Sequence, residues 1–186
     1  MAIVIEVNVR AGKERDVLNN VKNILKKNSS TIESIFALQE KSDIYFVSNG
    51  NIDETIITIK EIRKINGVLG IDTMIATVES FTVENQPYAN SAFIILTIQP
   101  GNDDEVRSSI EKFKYDGVIV NSFSFCYKNF TNDAIISLTY KDQKDLLNFI
   151  QSIRSNIKGI VDTEFLLLDY QSFGDNPLTF LVPDKK

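Results

Sequence analysis

Two aspartates that lie 90 residues apart are the best candidates for ligand binding in this sequence. Asp43 and Asp133 each occupy a short polar stretch between two predicted strands, and their spacing is 133 − 43 = 90. A carboxylate in this position can orient the amino group of a small ligand. The alternative interpretation is an aspartate that accepts hydrogen bonds from the amides of its own turn. Asp43 and Asp133 are predicted as ligand-binding residues, and no catalytic residue is predicted.

The residue types that are missing exclude several kinds of chemistry. The chain has no histidine, which excludes Ser-His-Asp and Cys-His catalysis, haem held by a proximal histidine, and imidazole-bound zinc. Cys126 is the single cysteine, and a buried apolar role is favoured over a reactive thiol. Acidic pairs such as Asp53-Glu54 fall in predicted first helical turns, where acids favour the helix dipole. No metal site and no cofactor are therefore predicted.

Charge and hydropathy limit the partners. A net charge of −5 argues against direct nucleic-acid binding, which depends on basic residues that meet phosphates. Phe123, Phe125 and Tyr127 could stack on bases, but Lys128 is the only basic residue nearby, so packing between two sheets is the favoured interpretation. No apolar run approaches the roughly 20 residues of a membrane helix, and no signal peptide is expected. These features predict no membrane contact and a cytoplasmic location.

The elements that must position these residues form two similar halves. Gly12 and Gly101 end the first predicted strand of each half at an offset of 101 − 12 = 89, and Thr73 and Thr163 are offset by 163 − 73 = 90. A near-constant offset over most of a chain indicates one supersecondary unit used twice. The predicted division is a first repeat at 1–82, a linker at 83–91, a second repeat at 92–172 and a C-terminal tail at 173–186.

Each half is predicted to have the order strand, helix, strand, strand, helix, strand. Asn51 and Asp142 are predicted N-caps, and Asn102 with Glu105 is predicted to form a capping box. This order predicts the α+β class, with two ferredoxin-like βαββαβ repeats. The helices cover one face of each sheet, and the other face is expected to be apolar in places and to carry Phe123, Phe125 and Tyr127. Mutual covering of these faces predicts a pseudo-dimeric α/β barrel or sandwich.

The chain resembles a known family, the effector-binding (RAM) domain of the Lrp/AsnC regulators. The motifs that carry the resemblance are VNVRAGKERDV at 7–17, LTIQPGNDDEV at 96–106, IRKINGV at 62–68 and IRSNIKGI at 153–160. The resemblance implies paired sheets that close into an α/β barrel, assembly into oligomers, and amino-acid effectors near the hairpin between the second and third strands. Asp43 and Asp133 match the family's hairpin aspartate. The chain begins at the first strand, so the family's helix-turn-helix is not expected.

These observations together predict a non-enzymatic module that binds a small molecule and regulates another protein. The expected partners are an amino acid or small metabolite, a transcription regulator of the same family, and further copies of this chain in a homo-oligomer. Two alternatives are a small enzyme of the dimeric α/β-barrel type, which rests on fold analogy, and an oligomeric scaffold without a ligand.

Overall fold

The computed structural model describes residues 2–28, 32–37, 44–48, 51–80, 88–128 and 131–168. The described strands pair antiparallel, which confirms the predicted α+β class. No helix in these ranges has the length and apolar character of a membrane span. The elements in chain order are β1 (Ala2–Val9), α1 (Glu14–Lys27), β2 (Ile32–Ala37), β3 (Ile44–Ser48), α2 (Ile52–Ile62), β4 (Val68–Ser80), β5 (Asn90–Ile98), α3 (Asp103–Lys112), β6 (Val118–Lys128), β7 (Thr131–Tyr140), α4 (Gln143–Asn156) and β8 (Ile160–Leu168).

The chain divides into two compact units. The described part of the first unit is mainly residues up to 76, and the second runs from 77 to 167. The strand order is β2-β3-β1-β4 in the first unit and β6-β7-β5-β8 in the second. When the strands of each unit are counted in chain order, both units have the spatial order second, third, first, fourth. Residues 83–87 of the predicted linker and the whole of the predicted tail lie outside the described residues.

In the first unit, one face of the sheet packs against helices α1 and α2. Alternate residues of β1 share a face, because successive strand side chains point to opposite sides of a sheet. The spacing of Val17, Leu18, Val21, Ile24 and Leu25 predicts an apolar stripe on α1, and all of these except Ile24 are buried. The stripe that Ile56, Ile59, Ile62 and Ile65 predict on α2 is partly wrong: Ile56 is 43% exposed, whereas Thr55 and Thr58 are buried. Isoleucines lie all around α2, so docking of the helix decides which are covered. The core consists of Ile5, Val7, Val9, Val17, Leu18, Val21, Leu25, Ile44, Phe46 and Ile62.

The second unit has a larger core of the same design. Even-numbered residues of β5 and β7 face helices α3 and α4, and Phe149 of α4 lies at the centre, with ring centroids 5.8 Å from Phe113 and 6.0 Å from Tyr115. Burial of such apolar surface is the main stabilising contribution to folding. The strand members of this core are Ala92, Ile94, Leu96, Ile98, Val118, Phe123, Ala134, Ile136, Leu138, Tyr140 and Leu167. The members from the helices, or directly after α4, are Val106, Ile110, Leu146, Phe149, Ile150, Ile153 and Ile157.

Two of the three predicted helix caps are present. The Asn51 side chain accepts a hydrogen bond from the Asp53 amide at 2.9 Å, and the Asp142 carboxylate accepts one from the Asp145 amide at 3.0 Å. The predicted capping box at Asn102 is wrong, since that side chain makes no capping hydrogen bond. Its backbone, at φ −104° and ψ 9°, lies outside the extended region that an N-cap requires.

In both units the residue after the first strand donates a hydrogen bond to a glycine that follows the second helix. The Arg10 amide donates to the Gly67 carbonyl at 2.8 Å, and the Gln99 amide donates to the Gly159 carbonyl at 2.8 Å. Gly67 and Gly159 have φ values of +108° and +96°, which disfavour other residues. A Cβ at Gly159 would lie 2.7 Å from the Asn102 Cβ, so glycine is also required for space.

A β-bulge occurs at the same place in both units. In β6 the pairing moves from Val120↔Leu138 to Ser122↔Ser137, which leaves Asn121 as an extra residue. In β2 it moves from Ile32↔Ser48 to Ser34↔Val47. A bulge shifts the alternation of the strand by one residue.

The bulge overturns the predicted placement of the aromatic residues. Val118 and Val120 face the helices before the bulge, and Phe123 and Phe125 face the helices after it. The prediction that Phe123 and Phe125 lie on the face away from the helices is therefore wrong. Strict alternation of Phe with Ser shows which residues share a face, but it does not show which face that is.

Candidate functional site

The two predicted ligand-binding aspartates remain untested. Asp43 lies outside the described residues. Asp133 lies within strand β7, where its backbone pairs with Cys126 of β6 and Thr97 of β5, rather than in the predicted hairpin turn. In the described ranges no three His, Cys, Asp or Glu residues come together in a way that could hold a metal ion. A ligand-binding role for Asp43 and Asp133 stays a prediction.

A different feature stands out on the second sheet, on the face that points away from helices α3 and α4. Several residues of β5, β6 and β7 are buried but do not belong to the helix-side core, so they lie on this opposite face. Most of them are polar or small, which contradicts the expectation of an apolar face. They are Ser91, Phe93, Ser122, Ser124, Cys126, Ile135, Ser137 and Thr139.

Four of these residues form a contiguous group, here called the hydroxyl cluster: Ser91, Ser122, Ser137 and Thr139. Ser91 pairs directly with Thr139 across β5 and β7, and Ser122 pairs directly with Ser137 across β6 and β7. Directly paired residues have Cβ atoms about 4.5–5.5 Å apart. Because Ser137 and Thr139 are two residues apart on the central strand β7, the two pairs are adjacent on one face.

The hydroxyl cluster is buried and unsatisfied. Its side chains are at most 2% exposed, and none of the four hydroxyl oxygens has a hydrogen-bond partner in the described part of the chain. Burying a hydroxyl without a partner costs about 1–3 kcal/mol, and most buried polar side-chain atoms in proteins have a partner. Four such costs on one face are large beside a typical net stability of about 5–15 kcal/mol. The four hydroxyls therefore require hydrogen-bond partners that the described residues do not supply, either ordered water or a ligand.

The bulge adds a further polar group to the cluster. Asn121 is the extra residue of the bulge, next to Ser122, and only 4% of its surface is exposed. Bulges are common beside active sites, because they redirect a side chain without ending the strand. An amide offers both donors and an acceptor, so Asn121 extends the hydrogen-bonding range of the cluster.

The other buried residues of this face are mainly apolar. Phe93 lies directly opposite Ser137, and Ile135 lies opposite Ser124. Among the buried residues of this face, Cys126 is the only one that can ionise. The buried part of the face therefore offers hydroxyl and amide groups beside apolar side chains.

The chemistry available is hydrogen bonding rather than covalent catalysis. With no histidine in the chain, no serine of the cluster has the usual base that activates a serine nucleophile. Fixed hydroxyl and amide donors can instead stabilise negative charge that develops on a substrate oxygen in a buried site.

The sequence carried a signal for this cluster. The stretch Asn121-Ser122-Phe123-Ser124-Phe125 alternates small polar residues with large aromatic ones, as does the end of β7. This pattern indicates one polar and one apolar strand face. Sequence reasoning considered only the aromatic residues of the pattern and missed the serines.

Comparison with known proteins shows similarity in fold alone. No protein-family model and no curated protein sequence matches the chain. A monooxygenase-like protein of Fusobacterium nucleatum subsp. nucleatum is 18% identical with a TM-score of 0.57, and 90% of each chain is covered. The siroheme decarboxylase NirDL is 10% identical with a TM-score of 0.65 over 90% of this chain and 71% of its own. Chlorite dismutase of Candidatus Nitrospira defluvii is 10% identical with a TM-score of 0.58 over 97% of this chain and 92% of its own.

These neighbours correct the predicted function. They are enzymes with the dimeric α/β-barrel fold, and none of them is a regulatory module. The predictions of a non-enzymatic protein and of a role in transcription regulation are therefore wrong. The comparison favours the alternative prediction, a small enzyme of the dimeric α/β-barrel type.

Proposed function

We propose that the chain is a small enzyme of the dimeric α/β-barrel type that oxidises an uncharged organic substrate with dioxygen. In this proposal each unit is a ferredoxin-like repeat, and the pair corresponds to the two halves of a dimeric barrel protein. The substrate is held on the second sheet by the hydroxyl cluster. The observation that carries the proposal is the set of four buried hydroxyls without a hydrogen-bond partner.

The tetrapyrrole chemistry of one neighbour does not fit this site. Sirohaem carries several carboxylates, which proteins usually meet with Arg or Lys. No buried residue of the candidate face is Arg or Lys, and no histidine exists to ligate the iron. In the first unit, the corresponding face places the carboxylate-bearing residues Glu6 and Asp72 directly opposite each other. The carboxylates of these two residues would repel the carboxylates of sirohaem.

An oxygenase reaction that uses dioxygen directly requires neither basic residues nor a histidine from the protein. In the proposed reaction a CH₂ group conjugated with a carbonyl loses a proton to solvent, and the resulting enolate reacts directly with dioxygen. One oxygen atom becomes a new C=O group and the other leaves as water, which balances the two hydrogens lost by the CH₂ group, so no further reductant is needed. Enolate formation moves negative charge onto the carbonyl oxygen, where hydroxyl donors stabilise it.

The hydroxyl cluster suits this role, because its donors are fixed by the sheet. Ser122 and Ser137 are paired across neighbouring strands, so one substrate oxygen between them could accept two hydrogen bonds. Loss of one preorganised donor of this kind typically lowers kcat by about 10²–10³-fold. The fold similarity to a monooxygenase-like protein supports the same reaction class, although the similarity by itself concerns fold alone.

The proposal is tested by measuring oxygen uptake with anthrone, an uncharged tricyclic compound that has an acidic CH₂ group and a carbonyl. Protein dialysed against a chelator is expected to accelerate uptake saturably, with one dioxygen consumed per anthrone. Ser122→Ala is expected to lower kcat by at least about tenfold, since it removes one donor. Ser34→Ala, the counterpart position in the first unit, is the matched control and should leave the rate unchanged. Uptake no faster than the uncatalysed oxidation of anthrone would contradict the proposal.

A further inference from the structure

The hydroxyl cluster is a property of the second unit alone. The shared bulge aligns the two sheets: Ser34↔Val47 in the first unit corresponds to Ser122↔Ser137 in the second. Strand β1 aligns with β5 through the pairs Ile3↔Ser48 and Ala92↔Leu138. Of the cluster, Ser122 has a hydroxyl residue at its counterpart, whereas Ser137 corresponds to valine and Ser91 to alanine.

The equivalent face of the first unit has a different chemistry. Its buried residues are Val4, Tyr45, Met74 and Ala76, of which only Tyr45 carries a polar side-chain atom, and Val4 stands where the second unit has Phe93. The Asn8 amide donates to the Asp72 carboxylate at 3.2 Å in an exposed position. None of the unsatisfied buried hydroxyls among the described residues lies in this unit. The described side chains of the first unit therefore provide no counterpart of the hydroxyl cluster.

We infer that the chain binds one ligand, on the second unit only, and that this ligand is uncharged with a hydrogen-bonding oxygen at the edge of a flat apolar body. The inference takes the location of the site from the proposed function and adds stoichiometry and ligand class. The two similar units are specialised: one binds the ligand and the other does not.

Neutrality follows from the composition of the face. A carboxylate or ammonium group buried beside the hydroxyl cluster would meet hydroxyls, one amide and apolar side chains, and among the described buried residues of the face only Cys126 can ionise. Burying an unpaired charge is far more costly than burying a neutral polar group. Phe93, directly opposite Ser137, offers a ring edge or face to the apolar part while the hydroxyl holds the oxygen. An amino acid, whose ammonium and carboxylate groups are both charged, fits this face poorly.

The test uses three probes with the same ring system: 2-naphthol, 2-naphthoate and naphthalene. The chain contains no tryptophan, so naphthalene-type fluorescence can be followed with little protein background. Titration of the full chain is expected to show saturable binding of 2-naphthol with one site per chain. Naphthalene should bind about tenfold more weakly, because it cannot use the hydroxyls, and 2-naphthoate more weakly still.

Variants locate the site. Ser137→Ala is expected to weaken 2-naphthol binding by about fivefold to tenfold, as expected for one lost hydrogen bond. It should leave naphthalene binding unchanged, which a folding defect would not do. Ser34→Ala is the control in the first unit and should bind both probes as the parent does.

The outcomes separate this inference from the proposed function. Selective binding of 2-naphthol at one site without anthrone oxidation would overturn the proposed function and leave the inference standing. Anthrone oxidation with two sites per chain, or with tighter binding of 2-naphthoate, would overturn the inference and leave the proposed function standing. Failure of the parent protein to bind 2-naphthol would overturn the inference as well.

Discussion

Replacing Thr139 by valine is expected to stabilise the ligand-free protein. Thr139 is fully buried, and its hydroxyl has no hydrogen-bond partner in the described structure. Valine keeps the branched shape and the strand preference, and it replaces the hydroxyl by a methyl group. Since an unsatisfied buried hydroxyl costs about 1–3 kcal/mol, Thr139→Val should raise the free energy of unfolding by about that amount.

Thr55 is the matched control for this substitution. It is 2% exposed, but its hydroxyl donates to the Asn51 carbonyl at 3.0 Å. Thr55→Val breaks that hydrogen bond and should lower the free energy of unfolding by about 0.5–1.5 kcal/mol. The same chemical change is thus expected to have opposite signs at the two positions.

Urea denaturation of dialysed, ligand-free protein measures both effects as shifts of the midpoint at constant slope. In thermal melts, each 1 kcal/mol should shift Tm by about 2–4 °C for a chain of this size. If Thr139→Val destabilises the protein as much as Thr55→Val does, the Thr139 hydroxyl is satisfied in the folded protein, for example by buried water. The energetic reason for a ligand at the hydroxyl cluster would then be lost.

Two further pairs of variants test the local structure. Asn51→Ala should lower the free energy of unfolding by about 1 kcal/mol through loss of the helix cap. Asn102→Ala should change the free energy of unfolding by only a few tenths of a kcal/mol, because the Asn102 side chain makes no capping hydrogen bond. Equal effects of the two substitutions in urea denaturation would refute the assignment of the caps. Gly159→Ala should cost about 2 kcal/mol or more, because its φ is positive and a Cβ would meet the Asn102 Cβ at 2.7 Å. A Cβ at Gly70 would lie 3.8 Å from its nearest neighbour, the Asn8 side-chain nitrogen, so Gly70→Ala should cost less than about 1 kcal/mol. Urea denaturation measures the effects of both glycine substitutions.

The order of helices and strands could be predicted from the sequence because it depends on local periodicity. The apolar spacing of Val17, Leu18 and Val21 predicted α1, and the side chains of Asn51 and Asp142 predicted two helix starts. Asn102 has the same sequence signal as Asn51. It failed as a cap because its backbone conformation is set by the preceding turn, where its amide donates to the Gln99 carbonyl at 3.1 Å.

The candidate site could be predicted only in part. Ser91 and Thr139 are 139 − 91 = 48 residues apart, and their pairing depends on the register of two strands. Sequence spacing carries no information on that register, so the cluster could not be assembled from it. The polar alternation at Ser122 and Ser124 was visible, but its face depends on the bulge at Asn121.

The sequence by itself determined that two similar βαββαβ patterns occur and that no histidine chemistry is possible, because both follow from residue types and local order. Only the tertiary structure decided that the second sheet turns Phe123 and Phe125 toward the helices and the hydroxyl cluster toward the opposite, buried face. The physical reason is that alternation sorts side chains into two sets, whereas one extra residue in a strand exchanges the faces on which the two sets lie.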